Sequence, residues 1–88
     1  MRMEFDKLKK QLDLEEWPAV YMFKFIVENS PEKLAKVTAL FDDESNIRLQ
    51  PSKNGKYISV SAKEMMLSSE RIIERYMQAA EIKGVIAL

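Results

Sequence analysis

The chain has neither cysteine nor histidine, and these absences remove most of the usual catalytic repertoire. Without cysteine there are no disulfides and no thiolate chemistry. Without histidine the commonest general base and transition-metal ligand is gone. Together they exclude the usual zinc sites and the Ser-His and Cys-His nucleophile pairs. Carboxylates, lysine, tyrosine and serine remain, and their spacing names no reaction. No catalytic residue, metal or cofactor is therefore expected. An excess of charge of either sign is also lacking: 14 basic residues balance 14 acidic ones. No long-range field steers such a chain toward nucleic acid or anionic lipid. No apolar run is long enough to span a bilayer, and the start Met1-Arg2-Met3-Glu4-Phe5-Asp6 lacks the apolar core of a signal peptide. The expectation is a cytoplasmic protein, not an enzyme, with no nucleic-acid or membrane partner.

What is present suits one small core. The chain has 88 residues, 47% apolar and 32% charged, a globular balance. Pro51 to Ser61 carries the sharpest local signal. Asn54-Gly55 between two alternating runs predicts a hairpin with a type I′ turn, both central residues at φ > 0. That loop pairs Pro51 with Ile58, Leu49 with Val60 and Ile47 with Ala62 on an apolar face. It pairs Ser52 with Tyr57, Gln50 with Ser59 and Arg48 with Ser61 on a polar one. Pro51 cannot donate to a ladder, which predicts an edge strand.

Ala19 to Glu28 is apolar on both alternating sets, as in a central strand. Lys24 assigns the set Val20, Met22, Lys24, Ile26 to the less buried side. Phe5, Leu8 and Leu12 stand at helical spacing within Glu4 to Leu14, predicting an amphipathic helix that stops before Trp17-Pro18. Ser30-Pro31-Glu32 reads as a helix start, followed by a stripe of Leu34, Val37, Leu40 and Phe41 that should end near Asp42-Asp43-Glu44. Ser68 is the expected N-cap of a last helix, with Leu67 and Ile72 as its hydrophobic staple. Its buried face is Ile72, Ile73, Tyr76, Met77 and Ala80. Glu81 to Leu88 closes the chain as a strand, clearest from Val85.

The order predicts an α+β fold: a ferredoxin-like βαββαβ two-layer sandwich with antiparallel strand order 4-1-3-2. Residues 1–16 form an N-terminal amphipathic helical extension and residues 17–88 the domain. Both domain helices cover one sheet face. The open face should carry Met22, Lys24, Ile26, Arg48, Gln50, Tyr57, Ser59 and Ser61.

Trp17-Pro18, the strand Tyr21 to Val27, Pro51-Ser-Lys-Asn-Gly-Lys-Tyr-Ile-Ser-Val-Ser, and a helix with Tyr76 before a strand ending at Leu88 together resemble the YbeD-like family, small bacterial proteins of unknown function. The likeness covers everything after the N-terminal helix. It departs at Glu28-Asn29, where that family often has glycine. The resemblance implies an ACT-like fold and with it a possible regulatory role. In ACT domains a ligand sits near the loop after the first strand, which corresponds to Glu28, Asn29 and Ser30.

Other functions of the same fold fit less well. RNA-binding modules stack bases on paired aromatics of the central strands, and here Tyr57 stands alone. A phosphatase-like loop needs glycine and a cation where the chain has Glu28-Asn29-Ser30-Pro31. Asp42-Asp43-Glu44-Ser45-Asn46 offers oxygen ligands without the glycine-bearing spacing of a calcium loop, and reads as a solvated turn. Lys24 is expected to reach solvent or pair with a neighbour. Of Met22, Met65 and Met66, at least two are expected in the core. The leading expectation is a protein-interaction module whose open sheet face meets a partner protein or a second copy. The alternative is a sensor of an amino acid or another small metabolite.

Overall fold

A computed structural model describes residues 5–41 and 46–87. Seven elements follow one another: α1 (Asp6–Leu12), β1 (Ala19–Glu28), α2 (Pro31–Thr38), β2 (Ile47–Pro51), β3 (Tyr57–Met66), α3 (Ser69–Ala80) and β4 (Ile86–Ala87). The fold is α+β, with a four-stranded antiparallel sheet in the order β2-β3-β1-β4. Read from the other edge this is the expected 4-1-3-2, consistent with a ferredoxin-like sandwich.

β1 is central because it is apolar on both sides. It pairs with β3 along its whole length, Ala19 opposite Met66 to Glu28 opposite Tyr57. With β4 it pairs only at Phe25 and Ile26. Phe23, Phe25 and Val27 point inward and are fully buried, as are Val60, Val37 and Ile72. Removing a side chain of this size from water is worth about 1.5–3 kcal/mol. β2 pairs with β3 in the expected register, Pro51 opposite Ile58 and Ile47 opposite Ala62. Leu49 nevertheless stays half exposed, because an edge strand is only partly roofed by the helices.

The hairpin turn is not type I′. Gly55 alone adopts positive φ, and Asn54 does not. The side chains explain the difference. Asn54 Oδ1 accepts from the Lys56 amide and the Ser52 hydroxyl, each at 3.0 Å, and Ser52 Oγ accepts from the Tyr57 amide at 3.1 Å. These bonds satisfy the turn without a left-handed asparagine.

α2 ends at Thr38, earlier than expected. Leu40 and Phe41 follow in tight turns, their amides donating to Val37 and Thr38 carbonyls. Asp42, Asp43, Glu44 and Ser45 lie outside the described residues. Ser68 caps α3 by accepting from the Arg71 amide. Leu67 stays exposed, so the expected staple with Ile72 does not form. Met77 and Ala80, expected on the buried face of α3, are exposed, and Ala79 is buried instead. Residues 81–84 turn rather than extend, which shortens β4 to Ile86–Ala87. Leu88 lies outside the described residues.

Two polar arrangements hold the helices. Arg75 of α3 reaches Glu64 of β3 through both guanidinium nitrogens, at 2.8 and 3.2 Å, with side-chain exposures of 12% and 13%. Its guanidinium carbon lies 5.3 Å from the centroids of both Phe23 and Phe41. Beside it the Tyr21 and Tyr76 hydroxyls share a hydrogen bond of 2.8 Å. Burial, and then that bond, push the Tyr76 phenol well above its usual range.

α1 is fastened to α3. Leu12 is buried in the common core, Phe5 stacks on Tyr76 with centroids 6.3 Å apart, and Trp17 Nε1 donates to the Leu12 carbonyl at 2.9 Å. Asp13 accepts from the buried Ser69 hydroxyl and, at 3.0 Å, from Lys9 Nζ. The Ser69 bond first, and Lys9 second, hold the Asp13 carboxyl below its ordinary 3.8.

Arg75→Met should lower stability by about 3 kcal/mol in urea unfolding, since it takes the guanidinium away from a nearly buried carboxylate. Adding Glu64→Leu should restore most of that loss; no recovery in the double variant would mean that the pair is not the unit responsible. For Asp13 the folded pKa is depressed, so its contribution is full above the unfolded value and is lost as pH falls through the folded one. The gap in urea midpoint between the native chain and Asp13→Asn should thus be full at neutral pH and shrink below the ordinary value of 3.8. A gap of equal size in acid would contradict this role for the carboxylate.

Candidate functional site

Strand alternation decides what the uncovered sheet face displays. Odd-numbered residues of β1 pack on the helices, so its even-numbered residues face outward. Register carries this across the sheet: Ser61 stands between Lys24 and Arg48, Ser59 between Ile26 and Gln50, and Tyr57 faces Glu28. All eight residues expected on this side are there. Met22, Lys24, Arg48, Gln50 and Tyr57 are exposed, while Ile26, Ser59 and Ser61 are half-buried. Ile26 is shielded because Ile86 of β4 lies opposite it.

Outside those eight, Val20, Lys63, Met65 and Ile86 also face outward; the strand set of Val20 was expected on this side, while Lys63, Met65 and Ile86 were not anticipated. Val20 belongs to the same alternating set as Met22. Lys63 and Met65 continue the alternation from Ser61, because β3 runs ten residues to Met66. Among the described residues nine large apolar side chains remain well exposed, and five of them, Val20, Met22, Tyr57, Met65 and Ile86, share this face. The methionine expectation is corrected in the same way. Only Met66 is in the core, while Met22 and Met65 are 51% and 60% exposed. Lys24 is exposed and makes no ion pair among the described residues.

A shallow depression of about 400 Å³ opens on this face between Met22, Arg48, Ser61 and Lys63. A second groove, about 460 Å³, runs between α3 and the end of β3, past Met65, Leu67, Arg71, Glu74 and Gln78. Arg75 and Glu64 at its floor are spent on each other.

The loop after β1 is engaged inside the chain. The Asn29 amide continues the ladder by donating to the Lys56 carbonyl at 3.0 Å, and its Nδ2 donates to the Gly55 carbonyl at 2.8 Å. Ser30 Oγ caps α2 through a long 3.5 Å bond from the Lys33 amide. Glu28 pairs with Lys33 Nζ at 3.2 Å, and Gly84, at φ +85°, lies close against both charged groups. Glu28, Asn29 and Ser30 thus tie the hairpin tip and the last turn to β1. Only Glu28 borders the open face.

Of the calcium-like stretch, only Asn46 is among the described residues; Asp42 to Ser45 are not. Among the described residues no cluster of three or more acidic side chains is placed to hold a metal ion, and no helix is long and apolar enough to cross a membrane.

Residues 13–88 match the model of a family described as a protein of unknown function (DUF493). No curated protein and no solved structure matches the chain.

Asn29→Ala should cost about 1 kcal/mol through the lost bond to Gly55 and speed amide exchange in the hairpin tip. Asn29→Asp, equal in size but unable to donate, should cost at least as much. Unchanged exchange in both variants would separate the loop from the tip.

Proposed function

Because the chain belongs to the DUF493 family of proteins of unknown function, the YbeD-like family, which assigns it no reaction, we propose from its surface that it is a non-enzymatic regulatory or protein-interaction module. On this reading a ferredoxin-like, ACT-like frame works in the cytoplasm and docks a partner protein or a second copy against the open sheet face. The observation that carries the reading is the concentration of Val20, Met22, Met65, Tyr57 and Ile86 on one uncovered face. Val20, Met22 and Met65 adjoin across β1 and β3, and exposed apolar surface gathered in this way on a small protein usually marks an interaction site. Val20, Met22, Tyr57 and Met65 stand on strands pinned by a ten-residue ladder, so little order is lost when a partner binds.

A small-molecule sensor ranks second. Asn29, Ser30 and Glu28 each already have a partner within the chain, and a ligand at that loop would have to displace them.

Met22→Asp with Met65→Asp should leave the unfolding midpoint nearly unchanged, because both side chains are more than half exposed. It should abolish association, whether seen as self-association in sedimentation or as proteins retained by the immobilised chain. Retention of the same proteins by both forms would rule out this face. For the sensor, a metabolite at a hundred times its dissociation constant would stabilise the fold by about 2.7 kcal/mol. A thermal shift from one metabolite class that persists in the double variant would favour that reading.

A further inference from the structure

Resting on the reading that the open face receives a protein, we propose that the partner segment is acidic, its carboxylates seated on Lys24, Arg48 and Lys63. Arg48, Ser61 and Lys24 form one row across β2, β3 and β1. Neighbouring strands lie about 4.8 Å apart, so the two cations flank the small serine at a spacing of roughly 10 Å. Lys63 follows two residues along β3, opposite Met22. The depression between Met22, Arg48, Ser61 and Lys63 gives a partner side chain somewhere to enter.

The charge on this face is segregated in a molecule with none to spare. The chain is neutral, and elsewhere Lys9, Lys33, Lys36 and Arg75 each meet an acid. Among the described residues Lys24, Arg48 and Lys63 form no ion pair. The only outward acid on the described strands is Glu28, which stands at the far end of β1 and is held by Lys33 at 3.2 Å. Three like charges fixed on rigid strands attract carboxylates, and complementary charge sets both partner choice and encounter rate. Arg48 can take a carboxylate through two parallel hydrogen bonds.

The surroundings select protein over nucleic acid. Single-stranded nucleic acid needs aromatic platforms for its bases, and Tyr57 is the only aromatic among the outward residues of these strands. Val20, Met22 and Met65 instead offer aliphatic surface beside the cations. The fitting occupant is a segment that interleaves carboxylates with aliphatic residues.

The test is a titration of the isotopically labelled chain, followed by amide chemical shifts. The probes are a decapeptide of alternating glutamate and leucine, its lysine–leucine counterpart, and a single-stranded decanucleotide. The acidic peptide should move amides of β1, β2 and β3 and bind at least tenfold tighter than the other two. Raising salt should weaken it. Lys24→Glu with Arg48→Glu should reverse the order, so that the lysine peptide binds better; this gain guards against a variant that merely unfolds. Equal binding of both peptides, or no shift on the sheet, would overturn the proposal. So would preference for the nucleotide. The interaction face itself is judged separately by Met22→Asp with Met65→Asp: loss of native association there, with no acidic preference here, would sink only the charge assignment.

Discussion

The antiparallel ladder between β1 and β3 is the constraint on which everything else rests. Its ten pairs fix one register, and a slip of one residue would send every side chain to the other side of the sheet. The penalty for a slip is severe on both sides. It would bring Lys24 into the helix layer and turn Phe23 and Phe25 to water. The same register that builds the core therefore also composes the outer surface, and the row Lys24, Ser61, Arg48 is as firmly determined as the row of buried aromatics beneath it.

Under that sheet a few polar groups do the aligning. Apolar packing alone would tolerate many placements of α3. The forked contact of Arg75 with Glu64 tolerates few, since a guanidinium fork and a carboxylate must be coplanar to make two bonds. The nearby Phe23 and Phe41 rings accept the cation's flat face and lessen what its burial costs. The Tyr21–Tyr76 bond adds a second fixed point one strand away. With the frame held from within, Met22, Lys24 and Met65 on the central strands can stay exposed on the outer face.

Much of this was readable in the residues. A run apolar on both sets located β1, alternation located β2 and β3, Pro51 marked the edge, and Ser30 and Ser68 marked helix starts, because each signal is local; the last strand was expected longer than Ile86–Ala87. The eight outward residues followed from alternation and register. What escaped reading depended on distant partners. Nothing near Arg75 in the chain points to Glu64 or to Phe41, so their contact was invisible. Asn54 is a local exception: the propensity of the Asn-Gly pair suggested a left-handed turn, and the bonds its own oxygen accepts from Lys56 and Ser52 outweigh that propensity. Val20 was read on the outward set of β1, whereas Lys63 and Met65 were missed because β3 runs on to Met66, past the stretch whose pairing the hairpin loop fixed. The engagement of Asn29 with Gly55 could not be foreseen, since it joins two loops 26 positions apart.

The brevity of β4 has its own consequence for the backbone. β1 is paired on one side throughout, but on the other only at Phe25 and Ile26. From Ala19 to Lys24 its alternate amides have no ladder partner on that flank among the described residues. Side-chain burial and backbone protection therefore part company within a single strand. Phe23 is sealed from water in the very stretch where every second peptide group stands at a margin. In this stretch the seal around the hydrophobic centre is made by side chains alone, with no second ladder behind it among the described residues.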